Sequence, residues 1–282
     1  MTYRNPRLPI PSRRALVMGF GAALLAAGAA LAEDPPGGAP SLDGQSPPRP
    51  KHYFRRPKPK APPPPAPPAP PATVHVEPAP GMDPELAMAR LMEGNGRYAA
   101  GFSAHPHMDM IRRADVAVAQ RPIASIVACA DSRVAPELIF DQGLGDLFVT
   151  RVAGNVIDDA VLASLEYSVI HLGSTLIMVV GHERCGAVKA TIDALDGRPA
   201  DEDRGTLISV LANLIAPAVR AVPAGVPDRL EAAISLNAAY SAADIFSRSA
   251  PLRARVLAGQ LKIVAARYDL DDGKVTPALG KS

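Results

Sequence analysis

Two cysteines, a histidine and an aspartate stand in this chain in an order that could build a metal site. Cys129 opens the run Cys129-Ala130-Asp131-Ser132-Arg133, and His182 opens His182-Glu183-Arg184-Cys185. The chain has no other cysteine. Each run follows a short apolar stretch, Ile123–Ala128 in the first case and Thr175–Val180 in the second. In open α/β sheets ligands gather at the carboxyl ends of strands, so these side chains fall where chemistry is expected. Two thiolates and an imidazole form a set that suits zinc in tetrahedral geometry, with a fourth position beside Asp131. Two other readings stand next to this one. A Cys129–Cys185 disulfide would suit an exported protein, but it leaves the His-x-x-Cys spacing and the Asp-Ser-Arg cluster unexplained. A closed, structural zinc would have no use for the neighbouring Asp–Arg pair. Catalytic zinc accounts for more of the residues than either.

The elements that position these groups are legible as hydrophobic pattern. Ile123–Ala128, Leu147–Val152, Thr175–Val180 and Leu261–Ala265 are short, apolar and rich in β-branched residues, as buried strands are. Asp159–Leu172 has helical spacing (Val161, Leu162, Leu165, Val169, Leu172) and stops at Gly173. Further helices are predicted after Cys185, across Leu207–Val219 and across Leu230–Arg248. An earlier helix starts at Asp83-Pro84-Glu85, an N-cap with proline at the first helical position. Its apolar stripe runs to Gly94 and Gly96, and an irregular stretch comes after it. Asp271-Asp272-Gly273 reads as a tight turn. Strands alternating with helices predict an α/β fold, a central mainly parallel sheet flanked by helices. No Gly-x-Gly-x-x-Gly turn follows the first strand, which sets a nucleotide-binding Rossmann domain aside.

The combination Cys129-x-Asp131-Ser132-Arg133 with Gly181-His182-x-x-Cys185-Gly186 resembles the signature of the β-class carbonic anhydrases. The likeness continues through Leu147-Phe-Val-Thr-Arg-Val-Ala-Gly-Asn155, Leu165-Glu-Tyr167, Ala187-Val-Lys189 and Leu261–Leu270. It covers roughly Met82 to Pro277. The resemblance implies one zinc ion per chain on Cys129, His182 and Cys185. Zinc lowers the pKa of its water to ~7 from ~15.7, and the hydroxide so formed converts carbon dioxide to bicarbonate and a proton. It further implies that Asp131 orients the reacting oxygen and that Arg133 keeps Asp131 ionised and turned away from the metal. In a closed form of the family, Asp131 itself ligates zinc. Gln120, Phe148, Tyr167 and Gly154 match substrate-pocket positions, although core packing accounts for Phe148 and Tyr167 equally well. Val152 departs from the pattern, since many members carry Asn there. Glu183 and Arg184 receive no role, and His52, His105 and His107 read as ordinary surface histidines. His171, at the end of a helix, is expected to satisfy a carbonyl, and Asp201–Asp203 an exposed turn. The implied assembly is a homodimer or tetramer with sites at subunit interfaces. Two rivals remain: a carbon disulfide or carbonyl sulfide hydrolase on the same scaffold, and a non-catalytic zinc-binding envelope protein. Asp131 and Arg133 weigh against the second.

Residues 1–32 read as an export signal. Arg4, Arg7, Arg13 and Arg14 precede the uncharged run Ala15–Ala32, which closes on Ala30-Leu31-Ala32 just before Glu33. Ser12-Arg13-Arg14 resembles a twin-arginine leader, so a periplasmic location is expected. The run sits at the short end of the ~17–25 residues that span a bilayer, and an uncleaved anchor is the competing reading. Residues 33–81 form the expected linker, because 18 of the 31 prolines lie between Pro35 and Pro80. Ala61–Ala72 should extend as polyproline II at ~3.1 Å per residue. The basic run Arg49–Lys60 allows weak contact with an anionic envelope, though a solvated tether explains it as well. Residues 82–282 form the expected catalytic domain. Ten basic and three acidic residues in 1–60 leave residues 61–282 net negative within an overall formal charge of +2, and nothing there suits nucleic acid. Deleting residues 33–80 should leave carbon dioxide hydration per zinc unchanged by stopped-flow assay. A several-fold fall in turnover would make the segment more than a tether.

Overall fold

A computed structural model describes residues 81–203 and 205–279. The expected leader, and the expected linker up to residue 80, lie outside the described residues. Four parallel strands, β1 (Ala124–Ala128), β2 (Leu147–Arg151), β3 (Leu176–His182) and β4 (Lys262–Tyr268), form the sheet with β5 (Val275–Pro277), in the order β2-β1-β3-β4-β5. β5 alone runs antiparallel, on β4. The fold is the α/β architecture expected from the alternation. Register sets the strand ends side by side: Ala128 lies opposite both Arg151 and Val180, and His182 lies opposite Tyr268. Chain segments leaving β1 and β3 therefore emerge together at one edge.

Every residue of β1 and β3 is buried, which explains why both read as continuous apolar runs rather than alternating ones. Ala124, Ile126, Leu176, Met178 and Val180 pack with Ala87 and Leu91 of α1 (Pro84–Ala99), and with Ile139 and Phe140. On the other face Val127, Ile177 and Val179 meet Leu165 of α4 (Asp159–His171), Ile245 of α7 (Arg229–Arg248) and Leu252 of α8 (Ala250–Leu257). Full burial of each large aliphatic chain contributes about 1.5–3 kcal/mol. A third cluster gathers Cys129 and Cys185 with Val188 of α5 (Gly186–Leu195), Ile215 of α6 (Ile208–Arg220) and Ile234 of α7.

The start of α1 agrees with the sequence reading, with the Asp83 carboxylate accepting from the Glu85 and Leu86 N–H groups at 2.9 and 3.2 Å. Its end does not. The helix continues through Gly94 and Gly96 to Ala99. Gly94 is there for close approach, since a Cβ at that position would lie 1.8 Å from the Phe140 carbonyl oxygen. Next to it the buried Asn95 donates to the Ile139 and Gly273 carbonyls at 3.1 and 2.9 Å, and accepts from the Val275 N–H at 2.8 Å. That one side chain ties α1 to the Asp271–Gly273 turn, which joins β4 to β5 as a tight turn should.

The stretch expected to be irregular after α1 contains a helix, α2 (Met110–Val118), capped by Asp109. None of its residues is buried, so no core-facing stripe marked it. The four-residue α3 (Pro136–Ile139) and three-residue β5 are too short to show a period. Asp201–Asp203 forms a short 3₁₀ turn with no buried residue, as expected. Among the described residues no helix is long and apolar enough to cross a membrane.

The two α1 glycines give opposite expectations. Gly94→Ala should destabilise the protein by about 1–3 kcal/mol through overpacking. Gly96→Ala, whose Cβ would meet nothing within 4 Å, should stabilise it by about 0.5–1 kcal/mol. Urea unfolding of both variants tests this, and equal responses would remove the close-approach explanation.

Candidate metal centre

Cys129 is the first residue beyond β1, His182 the last of β3, and Cys185 the cap of α5. All three are buried, and their ligand atoms lie within 4.8 Å of one another. Neither cysteine is in a disulfide. The His182 ring is oriented by its Nδ1–H, which donates to the Glu183 carbonyl at 2.9 Å. In the neutral ring this leaves the lone pair on Nε2, and that atom is buried without a hydrogen-bond partner. A buried imidazole nitrogen left unpaired is costly, and a cation held between it and the two sulfurs removes the cost. The Cys185 thiol first, and after it the neighbouring His182 ring and the Gly154 N–H, hold the Cys129 thiol well below the ordinary thiol range. Keeping the shared proton pushes Cys185 the other way. One thiolate is thus favoured by the fold itself. These observations fit zinc, whose ligands must be deprotonated thiols and a neutral imidazole with its other nitrogen tied by a hydrogen bond.

Asp131 stands at the rim. Its carboxylate accepts from Arg133 Nε at 3.0 Å and Nη2 at 2.8 Å, and from the Arg133 N–H at 2.9 Å. The guanidinium keeps this carboxyl well below the usual carboxylate range, so Asp131 is ionised at any working pH. Asp131 Oδ2 lies 4.0 Å from His182 Nε2, near the three ligands yet turned onto Arg133. Arg151 braces the same loop from below, donating from Nε to the Cys129 carbonyl at 3.1 Å and from Nη2 to the Asp131 carbonyl at 2.6 Å.

Gly154 lies in a 3₁₀ turn, Ala153–Asn155, with φ of 74°. Its N–H donates to Cys129 Sγ at 3.3 Å, and its carbonyl accepts from Asn237 Nδ2 at 2.7 Å. The structure thus sets Gly154 against a sulfur. Glu183 and Arg184, left without a role by the sequence, anchor the ligand loop: Glu183 Oε2 accepts from the Leu270 N–H at 3.2 Å, and Arg184 grips Asp271 at 2.7 and 3.0 Å.

The remaining expected pocket residues gather elsewhere. Gln120, Tyr167 and His171 line one groove, and the Phe148 ring lies 6.5 Å from Tyr167. None of Cys129, Asp131, His182 and Cys185 lines that groove. Tyr167 is 50% exposed, so core packing does not explain it, and the His171 ring rests 5.2 Å from it. His107 is more than a surface histidine, because its Nδ1 lies 2.6 Å from the buried Asp146 carboxylate. Sequence reasoning assigned nothing to Arg151 or Asn237. A charge closing an apolar strand was the one available signal for Arg151, and a lone amide in a helix offered none.

Residues 124–275 match the family model described as carbonic anhydrase. The chain belongs to the carbonic anhydrase family. Carbonic anhydrase 2 of Mycobacterium tuberculosis (strain ATCC 25618 / H37Rv) is 41% identical over 195 residues, spanning 69% of this chain and 93% of that protein. A carbonic anhydrase of Mycolicibacterium smegmatis is 41% identical over 196 residues, 70% of this chain and 94% of its own length. Among solved structures, a Coccomyxa β-carbonic anhydrase in complex with acetazolamide superposes with a TM-score of 0.53 at 26% identity, covering 67% of this chain and 85% of that one. The protein is a β-class carbonic anhydrase, a lyase that hydrates carbon dioxide reversibly, and zinc is its cofactor.

Serine at position 185 keeps the volume but removes a soft ligand. Cys185→Ser should leave less than about a tenth of the wild-type zinc after dialysis, with far-ultraviolet circular dichroism unchanged. Full zinc occupancy in this variant, measured by atomic emission, would remove Cys185 from the ligand set.

Proposed function

We propose that this carbonic anhydrase works with Cys129, His182 and Cys185 as its zinc ligands and Asp131 as the group that aims the attacking water. Bound there, zinc supplies the Lewis acidity that makes water a nucleophile near neutral pH. The chain supplies direction. As an ionised carboxylate Asp131 is acceptor-only, so it can only take a hydrogen bond from the water and leave the oxygen lone pair facing the carbon of carbon dioxide. Arg133 holds both Asp131 oxygens and so stops the carboxylate from turning inward to ligate the metal. The observation that carries this reading is the bidentate Asp131–Arg133 pair beside the unpartnered His182 Nε2. It favours the open form over the closed, Asp131-ligated one. The buried wall of Val156, Val188 and Ile215 around the ligands is apolar, as an apolar substrate requires.

Gln120 and Tyr167 are exposed, with the half-buried Phe148 ring beside Tyr167, which supports their serving the site of a second copy in a homodimer or larger assembly. Met110, Ile111 and Val118 of α2 are exposed, with Val118 on the same groove, and suit coverage by that copy. Export to the periplasm is inferred from the leader composition, and a weak envelope contact from the basic run Arg49–Lys60.

Stopped-flow carbon dioxide hydration, with zinc measured on the same sample, tests the assignment. Asp131→Ala should retain zinc and slow hydration on the order of 10²-fold, whereas a normal rate would end its orienting role. Full zinc without hydration between about pH 6.5 and 9 would favour the carbon disulfide or carbonyl sulfide hydrolase instead.

A further inference from the structure

Asn237 lies within α7 and is 2% exposed, so its amide is almost wholly removed from water. Burying a polar side chain is unfavourable unless its hydrogen bonds are met, and Asn237 Nδ2 meets its own on the Gly154 carbonyl at 2.7 Å. Gly154 is the residue whose N–H reaches Cys129 Sγ. Its left-handed backbone and tight surroundings leave no room for a side chain, since a Cβ would lie 2.6 Å from Ile215 Cδ1. The turn that presents that N–H is closed by the Asn155 N–H on the Val152 carbonyl at 2.9 Å, and Asn237 is the side chain that holds it from the next peptide along. The same helix also presses on the strand that carries His182: a Cβ on Gly181 would meet Ala238 Cβ and the Ile234 carbonyl oxygen at 3.3 Å each. α7 thus touches the supports of two ligands at once.

We propose that Asn237 is a positioning residue for the metal centre, holding the Gly154 N–H on the Cys129 sulfur and so setting how strongly that sulfur donates to zinc. An N–H bonded to a metal thiolate draws electron density off the sulfur, and the metal becomes the stronger Lewis acid for it. The proposal rests on Cys129 being a zinc ligand.

The test uses the full chain loaded with cobalt(II), whose thiolate-to-metal charge-transfer bands report the Cys sulfurs directly. Asn237→Leu removes the donor, and Asn237→Asp keeps the volume while replacing the donor by an acceptor. Both should move the band to longer wavelength, because the sulfur freed of the N–H becomes the stronger donor. Ser241→Ala, a buried neighbour on the same helix, should lower thermal stability without moving the band. If the Asn237 variants lose stability but keep the wild-type band, Asn237 only packs the helix and the proposal falls. Absence of any thiolate band in the wild-type cobalt protein would instead overturn the ligand assignment itself. Should neither variant fold, cadmium-113 in the wild type still decides. Scalar coupling between the metal and the Gly154 amide proton is expected, and its absence overturns the proposal.

Discussion

Parallel pairing of β1 with β3, Ala128 against Val180, is the constraint on which the site depends. It brings Cys129 and His182 out at the same sheet edge, although the chain makes β2 and α4 in between. Both strands are buried on both faces, so neither can slide by one residue without moving its apolar side chains out of register with α1 on one side and α4 and α7 on the other. The distance between sulfur and imidazole is therefore set by the packing of the whole domain. Cys185 needs no strand of its own: it comes one turn of chain after His182 and caps α5, whose Val188 packs with both cysteines.

Charge around this edge is arranged in two tiers. Nearest the metal position are the Cys129 sulfur, which accepts from the Gly154 N–H, and the His182 ring, whose Nδ1 is held by the Glu183 carbonyl. Outside them lies the Asp131 carboxylate, held by Arg133, with Arg151 on the backbone oxygens of the same loop. Each negative group thus has a named donor, and the buried His182 nitrogen left over is the one a metal would take. The outward turn of Asp131 depends on the guanidinium holding both carboxylate oxygens.

Several elements show where reading the sequence succeeds and where it stops. Strands β1 to β4 and helix α4 were legible because their apolar pattern is a property of adjacent residues. Gly94 and Gly96 look alike in sequence, yet Gly94 admits the Phe140 backbone and Gly96 faces open space. Helix α2 was missed because it buries nothing, and burial is what writes a pattern. Arg151 and Asn237 escaped notice because their partners, the Cys129 and Asp131 carbonyls and the Gly154 carbonyl, are backbone atoms with no signature in side-chain type.

The amino-acid sequence alone determined the chemistry: which side chains can bind a soft divalent metal, which carboxylate can stay ionised beside them, and which strands deliver both. Those properties reside in residue type and short spacing, and the resemblance to the β-class carbonic anhydrases rests on them. Only the tertiary structure decided that Asp131 is turned onto Arg133, that Gly154 serves a sulfur, and that Gln120, Phe148 and Tyr167 cluster away from the metal ligands. Each of these is a contact between segments far apart in the chain, or a choice between rotamers, and packing geometry settles such matters where local sequence carries no record of them.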